Sequence, residues 1–301
     1  MKDEISLVRK LRNIIAELES IVGELESNSL SKTECFNSGC SEKTSLVQSE
    51  NSTTFSSGDE AQVYLSNKGI KITGVNNSTG ELKTEAISLH MGSKYDLVKD
   101  FISSIKSNQP FGRSFHMNLS KYSQLEINSI CQLADILHKS AFLESYRYRN
   151  SPYFDLGAKT TSNPAIMNYF AGAWLEEYVS LTLKKIIESD FSETITISML
   201  HNPQIQFSNI DNFELDLFSV INGKYPLWIE SKSGDYQRHL IKYSSLLEIL
   251  GVPRGNFILV LSNMSKAAAQ NLGNVHNLNI ANCEILGETI SKVLSSILSE
   301  G

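Results

Sequence analysis

Apolar residues at Leu7, Leu11, Ile14, Leu18, Ile21 and Leu25 fall at alternating steps of four and three, the a/d rhythm of a coiled coil, with Glu and Arg at many positions between. This predicts a coiled-coil helix over residues 1–27 that carries a homodimer. A helix docked on its own domain is the competing reading, since so few heptads are marginal alone. Residues 28–60 are rich in Ser, Thr, Asn and Glu and poor in large apolar side chains, so they read as a disordered linker unable to offset its ordering entropy. Regular patterning resumes at Gln62–Val75, where two β-rich runs flank a turn at Asn67–Gly69. Helical periodicity follows over Lys94–Asn108 and over Ser123–Arg149, the latter with a stripe of Leu125, Ile127, Ile130, Leu133, Ile136 and Leu137. Its tail, Tyr146-Arg147-Tyr148-Arg149, interleaves aromatic and basic residues, a pattern shared by nucleic-acid surfaces and by arginines snorkelling at a helix end. Residues 61–150 thus read as a small α+β region.

In the domain expected over 151–301, Pro164 opens a long helix running to about Asp190. Strands are expected at 194–200, 213–221 and 224–232, the last two forming a hairpin about Asn222-Gly223. A helix over 235–250 ends at Gly251. An apolar strand at 256–262, a helix at 265–273, a short strand at 282–286 and a helix at 287–300 complete the chain. This order predicts an α/β fold, a mixed sheet flanked by helices, preceded by the small α+β region and the coiled-coil helix.

The stretch "LWIESKSG" (227–234) is unusual for a buried strand because it carries a carboxylate and an ammonium. Alternation puts Leu227, Ile229 and Ser231 on one face and Trp228, Glu230 and Lys232 on the other. On 213–221, Phe213, Leu215, Leu217 and Ile221 share a face and leave Glu214 and Asp216 opposite. A two-residue Asn222-Gly223 loop would turn Asp216 and Glu230 to opposite faces. A three-residue loop, Ile221–Gly223 with Gly223 left-handed, pairs Val220 with Lys224 and makes Glu230 the diagonal neighbour of Asp216 on one face. The bulged turn is the expectation. Two carboxylates and one ammonium on one sheet face suit Mg²⁺ or Mn²⁺ and phosphate chemistry; a structural salt bridge is the plainer alternative.

Composition narrows the setting. The chain has 301 residues, 41% of them hydrophobic, and a net charge of −6, which argues against a non-specific polyanion binder while permitting a local basic groove. No run of eighteen apolar residues exists, so no membrane span or membrane partner is expected. The charged N-terminus lacks a signal core, and four scattered cysteines (Cys35, Cys40, Cys131, Cys283) read as free thiols, which together suggest a cytoplasmic protein.

With "GAWLEEYV" on the long helix, "ELDL" on one strand and "IESK" on the next, residues 164–262 resemble the PD-(D/E)xK nuclease superfamily, whose fold is restriction-endonuclease-like. Asp216 and Glu230 stand fourteen positions apart, an ordinary interval there; the Pro that often precedes the Asp is absent. The resemblance implies that Asp216 and Glu230 bind metal, that the Ser231 carbonyl adds a ligand, and that Lys232 assists hydrolysis of a phosphodiester, DNA favoured over RNA. It also implies a helix acid. Glu176 shares its stripe with Tyr169, Ala173, Ser180, Leu183 and Ile187, whereas Glu177 is expected near solvent beside Lys184, so Glu176 is the choice. Arg238, His239 and Lys242, on the following helix, are candidate contacts to the nucleic-acid backbone. The phrasing is also similar to the nuclease domain of CRISPR ancillary effectors that carry a cyclic-oligoadenylate sensor. Residues 1–90 show no Rossmann-like sensor, so that ligand does not carry over. The alternative to an endonuclease is a catalytically silent nuclease-fold module recruited through the coiled coil.

Overall fold

The structure, a computed structural model, describes residues 55–56, 58–75, 84–207, 210–234 and 236–299. The coiled coil and dimer expected from residues 1–27, and the linker as far as residue 54, lie outside them. Residues 51–301 form one compact unit.

At its centre is a mixed six-stranded sheet. Its strands are β1 (Phe55–Ser56), β6 (Ile197–His201), β9 (Leu217–Ile221), β10 (Tyr225–Lys232), β11 (Phe257–Leu261) and β12 (Asn279–Ala281), adjacent in that order. β10, β11 and β12 run parallel, while β9 is antiparallel to both its neighbours. All five residues of β11, "FILVL", are buried, as a strand covered on both faces requires. Alternate side chains feed two cores. Leu217, Ile221, Leu227, Ile229, Ile258 and Val260 face one. Phe218, Val220, Trp228, Phe257 and Leu259 face the other.

The core on the first face is shared by α2 (Glu85–Ser93), α3 (Tyr95–Asn108), α4 (Gln124–Lys139), α6 (Trp174–Asp190) and α9 (Leu286–Ser299), of which α6 and α9 lie against the sheet. A short helix α5 (Pro164–Asn168) runs into α6 through a π-helical turn at Tyr169–Ala173. The long helix expected over 164–190 is therefore continuous but locally underwound. Helix α2 approaches α6 at Gly92, where a Cβ would stand 2.2 Å from the Tyr178 ring. The second face carries α1 (Asp59–Asn67), α7 (Gln237–Leu250) and α8 (Lys266–His276).

Two smaller antiparallel sheets complete the unit. One comprises β2 (Lys71–Val75), β7 (Pro203–Phe207) and β8 (Ile210–Glu214); the other has the order β3-β5-β4, with β3 at Ser114–Asn118, β4 at Leu143–Arg149 and β5 at Asp155–Thr160. The expected boundary at 150/151 falls in the β4–β5 connection, and the helices of 85–139 share a core with the main sheet.

Several expectations need correction. The end of the linker is ordered: β1 pairs with β6, and α1 begins at Asp59. The first β-rich run is α1, whose Ala61 and Leu65 sit one turn apart in the core with Asp59 and Glu60 at the positive end of the helix. The helix over 123–149 stops at Lys139. Ala141 at φ 58° turns the chain, and β4 follows with Tyr146 and Tyr148 packed on the core and Arg147 and Arg149 exposed. The strand placed at 282–286 lies at 279–281, because Asn282 caps a turn by accepting from the Ile285 amide at 3.1 Å.

The strand expected over 213–221 is broken. β8 belongs to a small sheet and β9 to the main one, with a bend at Leu215-Asp216, and Leu215 and Leu217 enter opposite cores. The hairpin register also differs. Asn222 (φ 50°) and Gly223 (φ 66°) are both left-handed, Lys224 N donates to Ile221 O at 3.1 Å, and Ile221 pairs with Tyr225. The third loop residue is therefore Lys224 rather than Ile221. A two-residue change of register preserves faces, so the acids still share one, but Asp216 comes level with Glu230 instead of diagonal to it.

Candidate active site

The end of β10 presents Glu230, Ser231 and Lys232 just beyond the last β9–β10 pair, Leu217 with Ile229. Glu230 is 1% exposed, so its charge must be met inside the protein. Lys232 Nζ lies 2.6 Å from Glu230 Oε1, Trp228 Nε1 donates to Oε2 at 3.2 Å, and the Tyr243 hydroxyl reaches Oε1 at 3.4 Å. Burial and then the neighbouring Asp216 raise the pKa of Glu230, against the pull of Lys232. Burial lowers that of Lys232, but the two carboxylates more than offset this and hold it above the ordinary value. Tyr243 is raised by burial and by Glu230, so its hydroxyl stays a donor.

Asp216 stands where the chain leaves the small sheet for the main one. Its Oδ2 accepts from the amide of Ser231 at 2.7 Å and from the Ser231 hydroxyl at 2.9 Å, and Lys232 Nζ is 3.6 Å away. The crossing is braced by Asn202, between β6 and β7, whose left-handed backbone (φ 48°) lets its amide donate to the Asp216 carbonyl at 3.0 Å. The same residue's Nδ2 donates to Glu176 Oε2 at 2.9 Å. Glu176, in the first turn of α6, has its pKa raised by burial and next by the Asp216 charge. The π-turn just before α6 sets the rotation that aims Glu176 at this place.

Glu177 points elsewhere. Thr84 Oγ1 donates to it at 2.7 Å and Ser88 Oγ at 2.5 Å, with the Tyr169 hydroxyl 2.6 Å from Ser88. It ties α6 to α2 rather than ending in solvent beside Lys184. The structure thus brings Glu176, Asp216, Glu230, Ser231 and Lys232 together. Of the helix cations, His239 stacks on Tyr243 at 6.0 Å and Lys242 sits 4.6 Å above the Phe213 ring, while Arg238 is exposed on the same helix. Sequence reasoning missed Asn202, Trp228 and Tyr243 as supports. The Asn-Pro pair at 202–203 was the available signal for a turn at Asn202. Beside the site, Tyr95, Trp174, Lys106, Ser233 and Asn263 line a cavity of about 260 Å³.

Among the described residues no group of three or more His, Cys, Asp and Glu side chains could enclose a metal by itself. Asp216 Oδ1 and Glu176 Oε1 nevertheless accept no hydrogen bond from a described residue. Two hard, mutually repelling oxygens of this kind fit a Mg²⁺ ion that keeps most of its waters.

No family model matches the chain, and no curated protein does. Among solved structures, the protein VC1899 from Vibrio cholerae is 20% identical with a TM-score of 0.52, covering 78% of this chain and 60% of that one. Can2 from Sulfobacillus thermosulfidooxidans, solved in complex with cyclic tetra-adenylate, is 14% identical with a TM-score of 0.49, covering 76% and 59%. The chain therefore spans about 60% of the length of the solved structures it matches. The likeness to VC1899 is one of fold. No helix among the described residues is long and apolar enough to cross a membrane.

Proposed function

We propose that the protein is a divalent-metal-dependent endonuclease that hydrolyses nucleic-acid phosphodiester bonds. The observation that carries this reading is Lys232, its ammonium held between Glu230 and Asp216 at the buried end of β10, with Glu176 turned in from α6. The PD-(D/E)xK resemblance alone supports DNA over RNA. Asp216 and Glu176 would hold Mg²⁺ or Mn²⁺ through their free oxygens, with Glu230 and the Ser231 carbonyl as the further ligands that resemblance implies. When bound, the ion supplies charge neutralisation at the phosphate and activation of water.

The chain's own groups do the positioning. Ser231 fixes the Asp216 carboxylate, Asn202 fixes that of Glu176, and Trp228 and Tyr243 hold Glu230. Lys232 places a permanent positive charge where negative charge develops as the phosphate is attacked. Arg238, His239 and Lys242 would meet the substrate backbone. Cleavage of linear, circular and single-stranded DNA and of RNA, assayed with Mg²⁺, with Mn²⁺ and with EDTA, tests the reading. Metal-dependent cleavage lost in Asp216→Ala and Lys232→Ala is the expected result. Full activity in either variant, or in EDTA, overturns it. The fully bonded state of Glu230 favours one other reading, a silent module in which the charges are structural; absence of cleavage from a stably folded chain would select it.

A further inference from the structure

We propose that the outward face of the β3–β5–β4 sheet is a binding track for single-stranded nucleic acid. The inference deepens the endonuclease reading and takes from it the identity of the bound polyanion. Across this face the register sets Ser114, Lys159 and Ser145 in one row, His116, Gly157 and Arg147 in the next, and Asn118, Asp155 and Arg149 in a third. The opposite face is apolar, with Phe115, Leu156 and Ala158 in the core.

Phe111 (64% exposed) and Tyr153 (62%) are the only large aromatic side chains left exposed among the described residues. Both border this sheet, at opposite ends, and each lies under an arginine: Arg113 is 4.1 Å from the Phe111 ring and Arg149 5.1 Å from that of Tyr153. The strand between them spans roughly 17 Å, at about 3.3 Å per residue. Exposed rings flanked by cations are the elements on which unpaired bases stack while phosphates follow the charge.

The charge of the face is arranged to match. Asp155 is engaged by Arg149 at 2.7 Å and His116 at 3.3 Å, and Glu144 by Lys159 at 2.5 Å. Both acids are thereby paired, while Arg147 forms no ion pair with any described residue and leaves the face positive on a chain of net charge −6. At the centre, Gly157 has no side chain; a Cβ there would come 3.1 Å from the His116 ring. The His116 ring therefore lies over Gly157 at the middle of the track, where it offers a further flat surface.

The test is fluorescence anisotropy with the full chain and a labelled oligothymidine of about 20 nucleotides, in EDTA so that cleavage does not intervene. Arg147→Glu is expected to weaken binding at least tenfold and to lower the salt slope by about 0.7 to 1, with Arg147→Lys near wild type. Phe111→Ala with Tyr153→Ala is expected to weaken binding by about 10 to 100-fold with little change in salt slope. All these positions are exposed, so melting temperatures should match the wild type. A wild-type chain that does not bind, or face variants that bind as it does, overturns the track. Binding that depends on the face in a protein that never cleaves supports the track and removes the endonuclease reading. Cleavage with indifferent face variants does the reverse.

Discussion

The main-chain N–H and the hydroxyl of Ser231 donate to the same oxygen of Asp216, Oδ2, and so leave Oδ1 to face the site. A carboxylate held in this way loses little freedom when it meets a cation, because its orientation is already fixed. Ser231→Ala keeps the amide bond and removes the other. Its expected effects are a cleavage rate about 3 to 10-fold lower and a stability loss of about 1 kcal/mol. Steady-state kinetics beside urea unfolding would show both, and an unchanged rate would mean that the hydroxyl has no part in the orientation.

The adjacent glutamates of α6 should separate cleanly. Glu176→Gln is expected to lower the rate by about 10² or more with the fold intact, because only this carboxylate enters the site. Glu177→Gln should instead weaken the α2–α6 junction, where Ser88 and Thr84 donate to it, by about 1–3 kcal/mol while leaving the rate within a few fold. Parallel assays and melts decide the matter; the opposite pattern would place the functional acid at Glu177.

Two histidines make stability sensitive to acid. Burial lowers the pKa of His201, as it does that of His90, and nearby Lys184 and Lys94 act in the same direction. Each folded value lies below the unfolded value of about 6.5, so the unfolded chain takes up these protons first as pH falls. The stability is fully present above about pH 6.5 and is lost as pH drops through the lowered folded values. Melting temperatures between pH 8 and pH 5 should decline for the wild type and change less for His90→Gln combined with His201→Gln. An equal decline in the double variant would assign the acid sensitivity to other groups.

The β9–β10 turn needs two left-handed residues. Gly223→Ala puts a Cβ at φ 66°, and a loss of about 1–2 kcal/mol is expected. Asn222→Ala should cost at least as much, since Asn222 also accepts from the Thr196 amide at 2.8 Å through Oδ1. Unfolding in urea measures both, and neutral values would show that the turn adapts.

The strand carrying Glu230 and Lys232 was legible because a charged pair inside an apolar run has few explanations, and the rhythm around Glu176 separated it from Glu177. The bend at Leu215-Asp216 was not legible. Phe213, Leu215 and Leu217 keep perfect alternation through it, and only the presence of a second sheet shows that Leu215 and Leu217 part company. Tyr146 to Arg149 misled for a related reason. A helix tail and an edge strand can carry the same four residues, and nothing in an alanine side chain announces the left-handed turn at Ala141 that separates them. The supports Asn202 and Tyr243 are ordinary residues until the fold brings them to the acids.

β8 belongs to the small sheet and β9 to the large one, and Asp216 is the residue at which one becomes the other. The residue proposed as a metal ligand is therefore also a joint between two sheets. The Ser231 amide and hydroxyl tie that joint to β10, so the end of the small sheet is pinned to the strand that carries Lys232. The small sheet is thereby moored to the large one at the candidate site itself.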